Sequence, residues 1–313
     1  MLDLDGISRT MIDRLHEIDP VALWARSTER EMQEEPFQRD EDFLRTLLPW
    51  MDVWSRYFDG EVRGFEHVPA DGPMLLVGNH SGGVLVPDTG VFFASWYRQR
   101  GLDSPLVGLA FDAAFGLPWF GTLMRKIGEV PASRENAQRA LRAGAAVLVY
   151  PGGDHEAFRP WSDRNRVDFA GRSGFIQMAL REQVPVVPVI SHGGHHTTVI
   201  LTRGEWIGRL LGTDRIRTTT FPVALQIPWG LSVLSTPGMP LPAKITMQLC
   251  PPMPWSQYGA DAADDPAIVQ RCYHEITGLM QAQLDALVAE HPHPVLANLR
   301  RLLPWGRDGG GRR

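Results

Sequence analysis

Apolar segments four to seven residues long, separated by helical or turn-rich stretches, constrain this fold more than any other feature of the sequence. They lie at 74–77, 105–110, 127–130, 146–150 and 184–190, with a late one at 245–249. Such short runs, rich in Val, Leu and Ile, suit buried strands. Helical patterns alternate with them at 91–98, 134–143 and 174–180, and Ser133 stands as a ready N-cap for the second. The alternation predicts an α/β fold: a single domain with a largely parallel or mixed central sheet flanked by helices. In such folds ligands bind where the strands end. The loops at 78–83, 151–156 and 191–196 are therefore where chemistry is expected.

The 313 residues divide into three parts. Residues 1–60 predict a helical N-terminal extension. Asp19 and Pro20 open one helix running to about residue 35. A second, at about 40–58, places Phe43, Leu47, Trp50, Met51 and Trp54 on one face, to dock on the main domain or lie on a lipid surface. Residues 61–290 form the α/β domain and close with an amphipathic helix at 265–289. Residues 291–313 form a basic C-terminal tail. Charge follows the same division, with 14 acidic residues against 7 arginines in 1–60 and 2 against 5 in 289–313. The formal net charge of -5 disfavours a nucleic-acid partner held by bulk charge.

Two cysteines, Cys250 and Cys272, exclude a disulfide scaffold and a cysteine-rich metal centre. The acidic start MLDLDGISRT lacks the basic and apolar regions of a signal peptide. A reduced, cytosol-facing protein is expected. The charge-free run 218–243 is interrupted by Pro222, Pro228, Pro237, Pro240 and Pro242, and the apolar stretch 113–124 by Pro118. Neither predicts a spanning helix. With Trp229 and Trp119 they suit buried core, a groove or an interfacial surface.

Four loops carry chemistry-bearing side chains. In the first, Asn79, His80, Ser81, Gly82 and Gly83 follow an apolar strand, and Asp88 comes eight residues after His80. If the loop folds back, Asp88 can fix the imidazole tautomer and leave one nitrogen free as a base. Ser81 is a candidate nucleophile, although its surroundings are not the G-x-S-x-G elbow. In the second, Arg134 stands at a helix start six residues after Gly128, a plausible anion site. In the third, Gly152 and Gly153 permit close backbone approach, and Asp154, His155, Glu156 and Arg159 crowd one turn. In the fourth, His192, His195 and His196 invite a zinc reading, but no matching carboxylate spacing accompanies them, so no metal is expected. The dinucleotide and Walker fingerprints are absent.

In this order the loops resemble the four motifs of the lysophospholipid acyltransferase superfamily, the PlsC-like glycerolipid acyltransferases. Asn79-His80 with a following acid is similar to N-H-x-x-x-x-D, and Gly128 with Arg134 to G-x-x-x-x-x-R. Tyr150-Pro151-Gly152-Gly153 partly follows F-P-E-G, and Val184-Pro185, Pro188 and Val189 follow V-P-x-x-P-V. The resemblance covers about residues 60–255. Two departures stand out: the fifth residue after His80 is Leu85, and Gly152 replaces the motif-three glutamate. With Glu156 and the 171–175 stretch, the pattern looks closer to the neutral-lipid branch that acylates mono- or diacylglycerol.

The resemblance implies an acyl-CoA-dependent O-acyltransferase acting on a lysophospholipid or acylglycerol hydroxyl. His80 would be the general base and Asp88 its support. Asn79, Ser81, Gly82, Gly83, Arg134, Gly152, Gly153 and Glu156 would bind substrate, with glycine amides at the oxyanion and Arg134 at a phosphate. No metal or redox cofactor is implied; an acyl-CoA or acyl carrier protein thioester is the co-substrate. The expected partners are acyl-CoA, a lipid acceptor and a membrane surface. The expected place is peripheral, on the cytoplasmic face. Two alternatives stay open: a lipid or thioester hydrolase using Ser81 or His80-activated water, and a non-catalytic lipid-binding homologue.

Overall fold

The computed structural model describes residues 39–112, 115, 118–207, 220–233 and 238–302. The expected helix near 20–35, the arginines Arg307, Arg312 and Arg313, and parts of the 113–124 and 218–243 stretches lie outside the described residues.

A seven-stranded sheet forms the centre. Its strands are β1 (Glu61–Arg63), β2 (Met74–Gly78), β3 (Leu106–Ala110), β4 (Glu129–Pro131), β5 (Ala146–Val149), β6 (Val186–His192) and, late in the chain, the strand Thr246–Leu249. Three intervening strands, β7 (Val199–Thr202), β8 (Val223–Gln226) and β9 (Gly230–Val233), form a second, antiparallel sheet, so the late strand is β10. The large sheet runs β1-β10-β6-β2-β5-β3-β4. Every pairing in it is parallel except β10 with β6. The fold is thus α/β with a mixed, largely parallel sheet, as the alternation predicts.

Strand alternation divides the core. Leu75 and Val77 of β2 face one layer with Val107, Val147 and Ile190, while Met74 and Leu76 face the other with Leu148, Val187 and Met247. Eight helices cover the two faces: α1 (Glu41–Tyr57), α2 (Pro87–Arg100), α3 (Pro118–Lys126), α4 (Arg134–Arg142), α5 (Gly153–Ala157), α6 (Gly174–Glu182), α7 (Pro266–Glu290) and α8 (Pro294–Leu302), counted among the described residues. The first layer takes α4, α6 and α7 through Leu141, Ile176 and the stripe Cys272, Ile276, Met280 and Leu284. The second takes α1 and α2 through Leu44, Phe92 and Trp96.

Local signals act as expected at several helix starts. Ser133 Oγ accepts from the Asn136 amide, and Asp265 Oδ1 accepts from Ala267 N, with Pro266 in the first turn. The docked face of α1 is shifted from the predicted one. Leu44 is fully buried and Leu48, Met51 and Trp54 pack beside it, whereas Trp50 is 71% exposed. Asp40 caps this helix, its carboxylate accepting from Phe43 N at 2.9 Å. The segment read as a basic tail begins with a packed helix. Buried Asn298 of α8 donates to the Tyr57 carbonyl at 2.7 Å, and Arg301 reaches Asp59.

Candidate active site

The strand order brings three loops to one edge. β2 lies between β5 and β6, so the loops after Gly78, Val149 and His192 meet there. Asn79 ties two of them together: its side-chain amide donates to the Ser191 carbonyl at 2.9 Å and accepts from the Ser191 amide at 2.7 Å. Asn79 is 1% exposed and splices β2 to β6.

His80 follows and is only partly buried. Its ring stacks on Tyr150, with centroids 4.4 Å apart and planes 16° from parallel. Thr89 Oγ1 donates to the Tyr150 hydroxyl at 3.0 Å, which anchors that platform to the start of α2. The Nδ1 atom of His80 is buried without a hydrogen-bond partner. Burial, reinforced by the nearby Arg159 charge and opposed by Asp154, lowers the His80 pKa to about 3. The imidazole is therefore neutral at pH 7.

The longer spacing to Asp88 is absorbed by left-handed backbone at Gly82 (φ 89°), Gly83 (φ 68°) and Val86 (φ 36°). A β-branched residue in that region stores strain, which marks this turn as held by its surroundings. A side chain at Gly82 would strike Pro87 Cδ at 2.5 Å, so the turn also needs glycine there. The loop does fold back, but its product differs from the expected His–Asp pair. Asp88 Oδ2 accepts from Ser81 Oγ at 2.6 Å and Oδ1 from Thr89 N at 2.9 Å; no His80–Asp88 hydrogen bond occurs among the described residues. Burial raises the Asp88 pKa to about 6, against the pull of the Ser81 and Ser191 hydroxyls and the Thr89 amide. Ser81 is 2% exposed and already donates to Asp88, so it is a support for the carboxylate and no free nucleophile.

Glu156 is also a support rather than a substrate ligand. It is fully buried, and its carboxylate accepts from His80 N at 3.0 Å, Asp168 N at 3.0 Å and Arg159 Nη1 at 3.0 Å. Burial pushes its pKa up, with Arg159 and the two amides opposing. Gly152 is required beneath it, since a Cβ there would sit 2.2 Å from Glu156 Cγ. The glutamate missing at position 152 is thus structurally linked to the one present at 156. His195 completes the frame: its Nδ1 accepts from Gly82 N at 3.2 Å and its Nε2 donates to the Arg159 carbonyl at 2.8 Å. Burial holds it neutral. Among the described residues no group of three or more metal-binding side chains occurs. Two of the predicted oxyanion amides are already engaged, Gly82 N by His195 and Gly153 N by the Tyr150 carbonyl.

Arg134 is not brought to His80. It begins α4 after β4, three strands from β2, which is about 14 Å at ordinary strand spacing. It is exposed, and its guanidinium donates to Gln177 at 3.3 Å. Any contact it makes with substrate is remote from the reacting atoms.

The model of the family described as Acyltransferase matches residues 59–192, the stretch from β1 to the end of β6 that carries all of these loops. That stretch is an acyltransferase-family match. An uncharacterised protein of Mycobacterium tuberculosis is 32% identical over 247 residues, covering 79% of this chain and 66% of that protein. The chain therefore spans somewhat under two thirds of the length of the mycobacterial relatives it matches. The human "DGAT1/2-independent enzyme synthesizing storage lipids" is 32% identical over 139 residues, 44% of this chain and 40% of that one. A crystal structure of the 1-acyl-sn-glycerophosphate acyltransferase PlsC from Thermotoga maritima aligns with a TM-score of 0.48 at 16% identity, covering 80% and 84% of the two chains.

The buried titratable groups of the protein set a pH signature. Asp88 and Glu129, raised to about 6 and 7, and Glu156, also raised, hold protons in the folded state that the unfolded chain has released above about pH 4.5. Acidification toward pH 4.5 therefore favours folding through them. His80 and His196, lowered to about 3, and His195, also lowered, stay neutral folded while the unfolded chain protonates below 6.5. Acidification disfavours folding through them. With His192 also lowered by burial, four histidines oppose three carboxyls between about pH 6.5 and 4.5, so thermal stability should fall only gently there. Below about 4.5 the raised carboxyls are protonated in both states, and the histidines are joined by Asp40, Glu61, Asp168, Glu182 and Glu290, carboxylates held low in the folded state, so stability should fall more steeply. Melting temperatures across pH 7 to 3.5 check this; a continuous steep decline from pH 6.5 would contradict it.

Proposed function

We propose that the protein transfers a fatty acyl group from an acyl-CoA or acyl carrier protein thioester to a hydroxyl of a glycerolipid, a lysophospholipid or a mono- or diacylglycerol. The observation that carries the reading is His80: a neutral, partly exposed imidazole at a strand's carboxyl end, framed by buried residues from three loops. The family match and the storage-lipid enzyme among its relatives support it.

In this reading the acceptor hydroxyl lies against the imidazole. His80 takes its proton as the oxygen attacks the thioester carbonyl. The tetrahedral intermediate collapses, the C–S bond breaks, and the thiolate leaves with the proton from His80. Ester and free thiol are the products. Asp88, held by Ser81, supplies a buried negative charge in the same loop to favour the transient imidazolium. The acyl chain and acceptor reach the site from a membrane, with the protein bound peripherally at its cytoplasmic face. No helix among the described residues is long and apolar enough to cross a bilayer.

A second reading, a lipid-binding homologue without chemistry, draws on the Asp88–Ser81 bond, which leaves His80 without a carboxylate partner. One assay decides. Purified protein is incubated with labelled acyl-CoA and a panel of lysophospholipids, monoacylglycerol and diacylglycerol, and the products are separated. Acceptor-dependent ester is expected, with diacylglycerol or monoacylglycerol preferred because Arg134 is remote from His80 and Glu156 is buried. No ester with any acceptor would favour the binding reading, and free fatty acid without acceptor would favour hydrolysis.

A further inference from the structure

We propose that the small antiparallel sheet β7-β8-β9 is the surface that inserts into the bilayer, driven by hydrocarbon contact and not by headgroup charge; the proposal rests on the lipid-acyltransferase reading and names the surface that serves it. An antiparallel sheet with one solvated face normally alternates apolar and polar residues. This one does not. Residues opposite each other across the strands share a face, and here Leu225 pairs with both Val199 and Leu231, and Val223 with Val233. That face is apolar and turned outward, with Leu225 54% and Leu231 67% exposed. The opposite face holds Ile200 and Ala224, which are buried and paired with each other. The β8–β9 turn carries the apolarity to the tip, where Trp229 is 59% exposed and Ile227 bridges to the equally exposed Met239.

Two observations choose a bilayer over another protein. The strands β8 and β9 and the turn between them contain no charged residue, as a surface that enters hydrocarbon requires. The sheet also adjoins the loop of His80 through its buried face. Ile200 on its inner side packs against Gly83 of the His80 loop, and exposed Val84 is the next residue of that loop. On the far side the Tyr57 hydroxyl of α1 donates to the Pro240 carbonyl, and Trp50 and Val53 stand exposed one and two turns earlier on the same helix. A bilayer met by this sheet therefore lies against an element that packs on the His80 loop.

The test is co-sedimentation of the full chain with vesicles of phosphatidylcholine alone, with and without high salt. It is run beside a Leu225→Asp/Leu231→Asp variant whose fold is checked by its melting temperature. Wild-type protein should sediment with these uncharged vesicles irrespective of salt. The variant should lose binding by on the order of a hundredfold while keeping acyl transfer to a water-soluble short-chain acceptor. Wild-type protein that stays in the supernatant, or binds only when anionic lipid is added and is released by salt, would overturn the proposal. So would sedimentation velocity showing a lipid-free dimer that the variant abolishes, since the occupant would then be a second copy. Vesicle binding is read without catalysis, so a failure of acyl transfer in every arm sinks the enzymatic reading and leaves this one standing.

Discussion

Replacing His80 by alanine is expected to reduce acyl transfer by on the order of a thousandfold or more, with little change in stability. The asymmetry follows from what His80 touches. Its backbone amide bonds Glu156, which alanine retains, whereas its imidazole makes only the stack on Tyr150 and leaves Nδ1 unpartnered. The proposed function gives this side chain a chemical use, and that use predicts the asymmetry. Asparagine at the same position would preserve shape and polarity without proton acceptance, so it should be as inactive as alanine. Measured rates for both variants, beside their melting temperatures, separate a chemical role from a structural one.

Replacing Glu156 by alanine should have the opposite profile: the protein is expected to lose about 3–5 kcal/mol, because Arg159 is left buried and unpaired. For a domain of this size that corresponds to a fall of about 10 °C in melting temperature. Two further amides, His80 N and Asp168 N, lose their acceptor, so activity falls with the frame. Arg159 is itself 2% exposed, which prevents water from taking the carboxylate's place. Replacing both residues, Glu156→Ala with Arg159→Leu, should recover part of the stability, since the uncompensated charge disappears. It should not recover activity, because His80 N stays unheld. Equal destabilisation in the single and double variants would show that the ion pair is not the cause.

These two residues also show what the sequence makes legible. The strand–helix alternation and the loop positions follow from local pattern, and the caps at Ser133 and Asp265 act where the sequence puts them. The four loops come to hand in order, and three of them meet. What local pattern does not carry is partnership across the chain. Asp88 is near the site as expected, yet Ser81 takes its carboxylate, because strain at Val86 and the packing of Gly194 against Ser81 decide the path of the loop. Glu156 and Arg159 are visible as a charged turn, but their burial depends on loops 76 and more residues away in sequence. His195 is visible only as one of three neighbouring histidines and turns out to pin Gly82, a contact over 113 residues. The second sheet is missed because prolines and glycines in 218–243 mask its short strands, β8 and β9.

Acyl transfer from a thioester to a lipid hydroxyl through His80 is the central claim, and release of free thiol reports it most directly. CoA release from acyl-CoA is followed continuously with and without the preferred acceptor, for wild-type protein and for His80→Ala. The account predicts release that depends on acceptor, matches ester formed one for one, and disappears in the variant. Release that proceeds unchanged in His80→Ala, or without any acceptor, would contradict it.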